Sequence, residues 1–163
     1  MYKKVIVPLD GSKLAECVLP HVESITAGCN TEDVVLVTVT ERIVGASTVK
    51  YPTAPQASLP AAVPVIRVPL AVGKKQRQGE RYLKRIARRL KKGKINVSTE
   101  VLLGDPADEI TTFANNNEAD LILMASHGRS GISRWTHGSV ADRVFRASKV
   151  PILMVRAPSS SPS

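Results

Sequence analysis

Small, polar and glycine residues gather in the stretch 126–139, directly after the apolar run 121–124. Glycines let a backbone approach a ligand closely or adopt positive φ, while hydroxyls and an arginine donate hydrogen bonds to anions. The order of strand, glycine-containing loop and helix start also directs unpaired amides and the positive end of a helix dipole towards one place. This chemistry favours a phosphate ligand, and the residues that supply it are Ser126, Gly128, Arg129, Ser130, Gly131, Gly138 and Ser139.

The same residues also fit a connection that holds no ligand. In that interpretation the glycines serve only turns, Ser139 only caps a helix, and Asp142 three residues later completes a capping box. The chain contains neither G-x-x-x-x-G-K-[ST] nor G-x-G-x-x-G, two common phosphate-binding motifs. Local chemistry alone therefore leaves both interpretations open.

At these residues the chain resembles the universal stress protein family, whose nucleotide-binding branch carries G-x2-G-x9-G-[ST] after its fourth strand. Gly128 stands at the second glycine, nine residues follow, and Gly138 and Ser139 close the motif. Ala125 replaces the first glycine. The resemblance implies an ATP-binding protein in which the phosphates meet this loop and the following helix start. The residues implied there are Ala125, Ser126, His127, Gly128, Arg129, Ser130, Gly131, Gly138, Ser139, Val140 and Ala141.

A second group of candidate residues follows the first apolar run of the chain. In the family this strand ends in a Pro-x-Asp-Gly-Ser turn beside the adenine and ribose, and Pro8 and Asp10 match it, with Leu9 between them. The resemblance also places the backbone of Val39, at the end of the second strand, against the adenine edge. Taken alone, Asp10 fits better a turn residue whose side chain binds its own backbone, but the second loop expected at the same sheet edge favours a nucleotide contact.

We find no convincing catalytic set in the sequence. His127 fits a loop residue that binds phosphate or water better than one that transfers phosphate. No cluster of acidic residues offers a metal site, so Mg²⁺ or Mn²⁺ would enter with ATP, held by phosphate oxygens and water. The predicted function is an ATP-binding stress-response or signalling homodimer, not a rapid enzyme. Two alternatives stay open: an interaction dimer of the same family that does not bind ATP, and a slow ATPase or self-phosphorylating enzyme with Ser130 or Ser139 as acceptor.

The elements that must position these residues follow from hydrophobic periodicity. Apolar runs predict five strands, at 3–9, 33–40, 95–103, 121–124 and 150–155. Helical patterns predict a first helix that contains Pro20 and ends at Gly28, and a basic helix over 80–92. They also predict a third helix with Asp105 as N-cap and Pro106 at its first position, and a fourth behind Ser139 with Val140, Val144 and Ala147 on one face.

Because strands and helices alternate throughout, the fold class is α/β: a single-domain, five-stranded parallel sheet, doubly wound, with helices on both faces. The resemblance implies the strand order 3-2-1-4-5 and a homodimer formed through the edge strand at 150–156. The nucleotide-binding domain spans 1–156. It contains a long insert at about 43–79, where prolines oppose regular structure, and residues 157–163 form a disordered tail.

Composition and charge limit the function further. No stretch of the 163 residues is long and apolar enough to predict a membrane span, and no signal peptide is evident, so we expect a cytoplasmic protein without a membrane partner. Cys17 and Cys29 are expected to be reduced thiols packed as small hydrophobes. The segment 74–94 holds eleven basic residues and one acidic residue. A solvated helix face explains it more simply than a nucleic-acid surface, which nevertheless stays open.

Overall fold

The structure, a computed structural model, describes residues 2–40, 70–91, 95–126 and 139–157. Strands and helices alternate along these residues, and every predicted strand is present. The strands are β1 Lys4–Pro8, β2 Asp33–Thr40, β3 Asn96–Leu103, β4 Leu121–Ala125 and β5 Ile152–Val155. The helices are a 3-10 helix at Ala15–Val18, α1 Leu19–Gly28, α2 Leu70–Leu90, α3 Pro106–Asn116 and α4 Ser139–Ala147.

The five strands form one parallel sheet in the order β3-β2-β1-β4-β5. This confirms the predicted fold class and strand order. The chain adds strands outward on one side of β1 and then on the other, so the direction of winding reverses between β1 and β4. In open sheets of this kind, ligands bind beyond the carboxyl ends of the strands at such a reversal.

Helices cover both faces of the sheet, because successive strand residues point to opposite sides. On one face α1 and α2 pack against Val5, Val7 and Leu36. On the other face α3 and α4 pack against Ile6 and Val37. The central strand β1 is therefore apolar on both sides, and its three middle residues are fully buried. This explains why its sequence is a continuous apolar run without alternation.

The second helix begins ten residues earlier than the sequence predicts, at Leu70 and not at residue 80. The prediction failed because the prolines up to Pro69 and the two glycines, Gly73 and Gly79, oppose a helix, and the stretch 73–79 carries no apolar stripe that would reveal one. Residues 70–79, expected to belong to the long insert, are thus helical, whereas 41–69 lie outside the described residues. The helix ends at Leu90, and residues 92–94 also lie outside them.

Two other element boundaries differ from the prediction. Pro20 lies in the first turn of α1, after a separate 3-10 turn, so it removes no helical hydrogen bond and causes no kink. Strand β5 begins at Ile152, two residues late, because the Ser148 hydroxyl accepts from the Val150 amide and donates to its carbonyl. Ala157, assigned to the tail, is buried, and residues 158–163 lie outside the described part.

Asp105 caps α3 as predicted and also ties this helix to α4. Its side chain accepts hydrogen bonds from the amides of Ala107 and Asp108, at 3.0 and 3.3 Å. The Arg143 guanidinium donates to Asp105 at 2.9 Å and to Asp108 at 3.0 Å. The Arg143 hydrogen bond, followed by that from the Asp108 amide, lowers the pKa of the Asp105 carboxyl.

We expect Asp105→Ala to lower the melting temperature by about 2 to 4 °C, because the first turn of α3 loses its cap. Asp105→Asn retains a capping oxygen and should lose less. Because the folded pKa of Asp105 is lowered, its carboxylate stabilises the fold at neutral pH, and this contribution is lost as the pH falls through that pKa, below 3.8. Thermal melts of the three proteins between pH 2 and 7 measure both effects, and equal melting temperatures for wild type and Asp105→Ala would contradict the capping role.

Candidate functional site

The carboxyl ends of β1 and β4 lie side by side at the reversal of the sheet. These strands pair at Val5 with Leu121 and at Ile6 with Ile122. Beyond these pairs the chain leaves the sheet through residues 8–10 after β1 and 125–126 after β4. The structure thus brings Pro8, Leu9 and Asp10 to the same edge of the sheet as Ala125 and Ser126, as the sequence predicts.

A tight turn fixes the residues after β1. The Leu9 amide donates to the Val37 carbonyl at 2.8 Å, and Leu9 is buried. Asp10 Oδ1 accepts from the Ser12 amide at 2.8 Å, while Gly11 adopts a positive φ of 83°. Asp10 therefore binds its own backbone, which was the simpler of its two interpretations. Its carboxylate is exposed, so the other oxygen remains able to meet solvent or a ligand.

Strand β2 extends past the end of β1 and leaves a step in the sheet. The last pair between these strands joins Pro8 to Val37, whereas β2 and β3 stay paired up to Thr40 and Leu103. Alternate residues of a parallel strand direct their amides and carbonyls to opposite neighbours. Because the Val37 carbonyl points to β1, the backbone of Val39 faces the same side, beyond the end of β1.

The start of the predicted phosphate loop belongs partly to the sheet. Ala125 pairs with Val155, and the Ser126 amide donates to the Val155 carbonyl at 2.8 Å. This amide is therefore used by the sheet and is not directed at an anion. The other loop residues of the prediction lie outside the described residues: His127, Gly128, Arg129, Ser130, Gly131 and Gly138.

Helix α4 begins at Ser139 itself, whereas an N-cap at Ser139 would place the first helical residue at Val140. The Asp142 carboxylate accepts from Arg146 Nε at 2.9 Å, and the Ser139 side chain lies outside the described residues. Ala141 and Val144 are buried in the core, whereas Ala147, predicted to face inward, is exposed. The Ala141 side chain packs in the core cluster that also contains Met124 of β4. Only the backbone of Ala141 could therefore contact a ligand.

One cluster near this edge was not found from the sequence. Glu16 accepts hydrogen bonds from Arg85 at 3.1 Å and Arg89 at 3.0 Å, which joins the 3-10 helix to α2. The Arg85 guanidinium lies 5.3 Å from the centre of the Tyr82 ring. Burial raises the pKa of the Tyr82 phenol, and the negative charges of Glu16 and Asp10 raise it further. The separations in sequence are 69 and 73 residues, so no local pattern could reveal these pairs.

The described part of the chain holds no candidate metal centre. No three His, Cys, Asp or Glu side chains come together there as metal ligands. Cys17 and Cys29 are free thiols, as expected, and burial raises the pKa of the Cys17 thiol. None of the described helices has the length and apolar character that a membrane crossing requires.

The universal stress protein family model matches residues 1–156, which is nearly the whole chain. The chain belongs to this family. Among its curated relatives are two universal stress proteins of Methanocaldococcus jannaschii. MJ0531 is 29% identical over 97% of this chain and 84% of its own length, and MJ0577 is 28% identical over 98% of both chains.

Solved structures of universal stress proteins share the fold. MJ0577 superposes with a TM-score of 0.75 and 24% identity, over 98% of this chain and 99% of the other. A universal stress protein in complex with cAMP has a TM-score of 0.66 and 22% identity, over 96% and 98% of the two chains. An Arabidopsis thaliana member with AMP bound has a TM-score of 0.62 and 15% identity, over 99% and 96%. At these identities the similarity establishes the architecture, and two of these proteins hold an adenine nucleotide.

Proposed function

We propose that this universal stress protein binds ATP at the carboxyl ends of β1 and β4 and acts as a nucleotide-dependent stress-response or signalling homodimer. The observation that carries the proposal is the step beyond the end of β1. There the backbone of Val39 and the exposed carboxylate of Asp10 border the point where the sheet winding reverses. Family members that hold cAMP and AMP support an adenine nucleotide as the ligand.

In this proposal the two ends of the nucleotide meet different parts of the chain. The adenosine lies against Pro8, Leu9, Asp10 and the backbone of Val39, which offers a donor and an acceptor on one edge. The triphosphate meets the motif that closes at Ser139, through loop amides and the start of α4. Because the Ser126 amide is taken by Val155, the amide donors must come from the residues after it. Mg²⁺ or Mn²⁺ would be held through phosphate oxygens and water.

The homodimer forms, in this proposal, through the edge strand of the sheet at 150–156. Among the described residues β5 pairs with β4 alone and has its second edge open. Leu153 at its centre is 40% exposed. Open strand edges with apolar side chains favour pairing with another chain. The cytoplasmic location belongs to the same proposal, and cell fractionation tests it.

Calorimetric titration of the nucleotide-free protein with ATP, in Mg²⁺, Mn²⁺ or EDTA, tests the ligand. We expect Gly128→Asp to weaken ATP binding on the order of 100-fold, because a carboxylate in the motif repels the phosphates and removes about 3 kcal/mol of binding free energy. The metal arms should raise the affinity relative to EDTA if the ion bridges phosphate oxygens.

Gly28→Asp is the matched control, since it places the same carboxylate at the exposed end of α1, where an added Cβ meets no atom of the described residues within 4 Å. It should bind ATP as the wild type does, and circular dichroism should report a folded protein for both variants. Wild-type protein that takes up no ATP would overturn the proposed function in favour of an interaction dimer without nucleotide. Unchanged ATP affinity of Gly128→Asp would overturn the assignment of the phosphates to the motif. Phosphate release above a buffer blank would instead favour the slow ATPase.

A further inference from the structure

The solvent face of α2 carries two parallel rows of cations, and the start of the helix at Leu70 adds Lys74 and Arg77 to the four that the predicted helix over 80–92 contained. One row is formed by Lys74, Arg81 and Arg88 and the other by Arg77, Lys84 and Lys91, each at intervals of seven residues. Seven residues complete almost two turns, so each row runs nearly straight and extends about 21 Å over fourteen residues. We call these six residues the basic face, and all six are exposed.

The basic face is exposed to solvent, away from the side of α2 that is buried in the core. Leu83, Ile86, Ala87 and Leu90 pack into the core beneath the helix. The docking of this side fixes the rotation of α2, because Gly79 lies so close to β2 that an added Cβ would stand 2.9 Å from Thr38 Cγ2. The six cations are therefore held outward on a rigid helix and not distributed over a flexible segment.

The positive charge of the basic face is not neutralised by the described residues. Glu16 engages Arg85 and Arg89, which flank the face, and Glu80 is the only acidic residue on α2. No member of the basic face forms an ion pair within the described ranges; Arg77 and Arg81 direct their Nε atoms to helix carbonyls at 3.1 and 3.2 Å. Outside 74–94 the chain has 12 basic and 13 acidic residues, so its net charge of +9 originates in this segment.

We propose that the basic face of α2 binds the phosphate backbone of duplex nucleic acid without regard to sequence. Straight rows of cations on a rigid helix complement the regular phosphates of a duplex, and such contacts position a protein without recognising bases. The exposed surface of α2 offers charge and no large apolar side chain: among the described residues the large exposed apolar side chains are Tyr2, Phe145 and Leu153.

The chemistry of α2 disfavours two other polyanions. A membrane-surface helix inserts its apolar side into the lipid, but that side of α2 is already buried in the protein. Single strands are bound by stacking bases on exposed aromatic rings, and the single aromatic residue of α2, Tyr82, packs against the core and under Arg85. A duplex requires neither lipid insertion nor stacking.

Fluorescence anisotropy of the full-length protein with a labelled 25-base-pair DNA duplex tests the proposal. Six phosphate contacts predict a slope of log K against log [KCl] of about −5, and an affinity loss on the order of 1,000-fold between 50 and 200 mM salt. The triple variant Lys74→Gln, Arg81→Gln, Arg88→Gln removes one row and should reduce the magnitude of the slope by about 3 and the affinity at 50 mM by on the order of 100-fold. Glutamine preserves helix propensity, so α2 should stay folded.

A control variant removes the same charge from exposed lysines elsewhere: Lys3→Gln, Lys13→Gln, Lys149→Gln. It should bind the duplex within about threefold of wild type, because it leaves the basic face intact. A flat salt dependence, an equal loss in both triple variants, or tighter binding to a 25-nucleotide single strand or to phosphatidylserine-containing vesicles would each overturn the proposal. The result does not depend on ATP binding, since the variants leave the residues at the carboxyl ends of β1 and β4 unchanged.

Discussion

Replacing Leu153 by aspartate is expected to convert the proposed dimer into a monomer. Leu153 is the most exposed residue of β5, and the second edge of this strand is open among the described residues. In a two-fold interface the substitution occurs twice. Burial of each leucine contributes about 1.5 to 3 kcal/mol, so the dissociation constant should rise by on the order of 100- to 10,000-fold.

Light scattering coupled to size-exclusion chromatography measures this effect. The wild type should elute with twice the 17.6 kDa chain mass and the Leu153→Asp variant with the chain mass itself. Tyr2→Asp is the matched control, because it also exchanges an exposed large side chain for a carboxylate, but before β1 and away from β5. A Leu153→Asp protein that remains dimeric would exclude the edge strand as the interface, and loss of the dimer in Tyr2→Asp would show an effect of charge alone.

Gly79→Val is expected to destabilise the fold by about 2 to 3 kcal/mol, because the helix cannot approach the sheet as closely. A Cβ at this position would lie 2.9 Å from Thr38 Cγ2 and 3.7 Å from both methyl groups of Val101. Thr38 is buried within β2 and cannot move aside without disturbing the strand. Valine adds two further methyl groups beyond this contact, so α2 must shift or rotate.

Gly73→Val in the same helix provides the comparison. Among the described residues its Cβ would meet Arg77 Nη2 alone, at 3.6 Å, which is an ordinary contact with a flexible side chain. Valine has a slightly better helix propensity than glycine, so this variant should lie within about 0.5 kcal/mol of wild type. Urea unfolding of both variants measures the difference. Equal stability of the two variants would show that α2 does not pack closely on β2 at Gly79.

The strands could be predicted because a strand buried on both faces has a continuous apolar sequence. The run 33–40 is apolar on both faces and corresponds to β2 at both ends. The helix cap at Asp105 was also predictable, since capping depends on residues within one turn. The start of α2 was not, because that helix is stabilised by docking on the sheet through residues such as Gly79, a tertiary effect that opposes the local propensity of glycine.

The meeting of the two candidate segments at one sheet edge could be predicted from the sequence, but their hydrogen bonding could not. The Pro8–Asp10 turn and the β4 end meet at one edge because a parallel sheet brings carboxyl ends together, and this follows from strand order. Which donors and acceptors remain available does not follow from it: the Ser126 amide donates to the Val155 carbonyl, and Asp10 Oδ1 accepts from the Ser12 amide. The pairing of Glu16 with α2 depends on how two distant helices lie across the sheet, which no spacing in the sequence encodes.

Strand β2 extends beyond the end of β1, and this step affects how ligand preference could change during evolution. A flat heterocycle beside Val39 would take the place of the next β1 residue and be recognised by main-chain atoms that every amino acid possesses. Side-chain replacements at position 39 should then leave the accepted base unaltered. Lengthening β1 by one or two residues would fill the gap with peptide and abolish recognition, so we expect insertions, not point substitutions, to mark relatives that have lost this ligand.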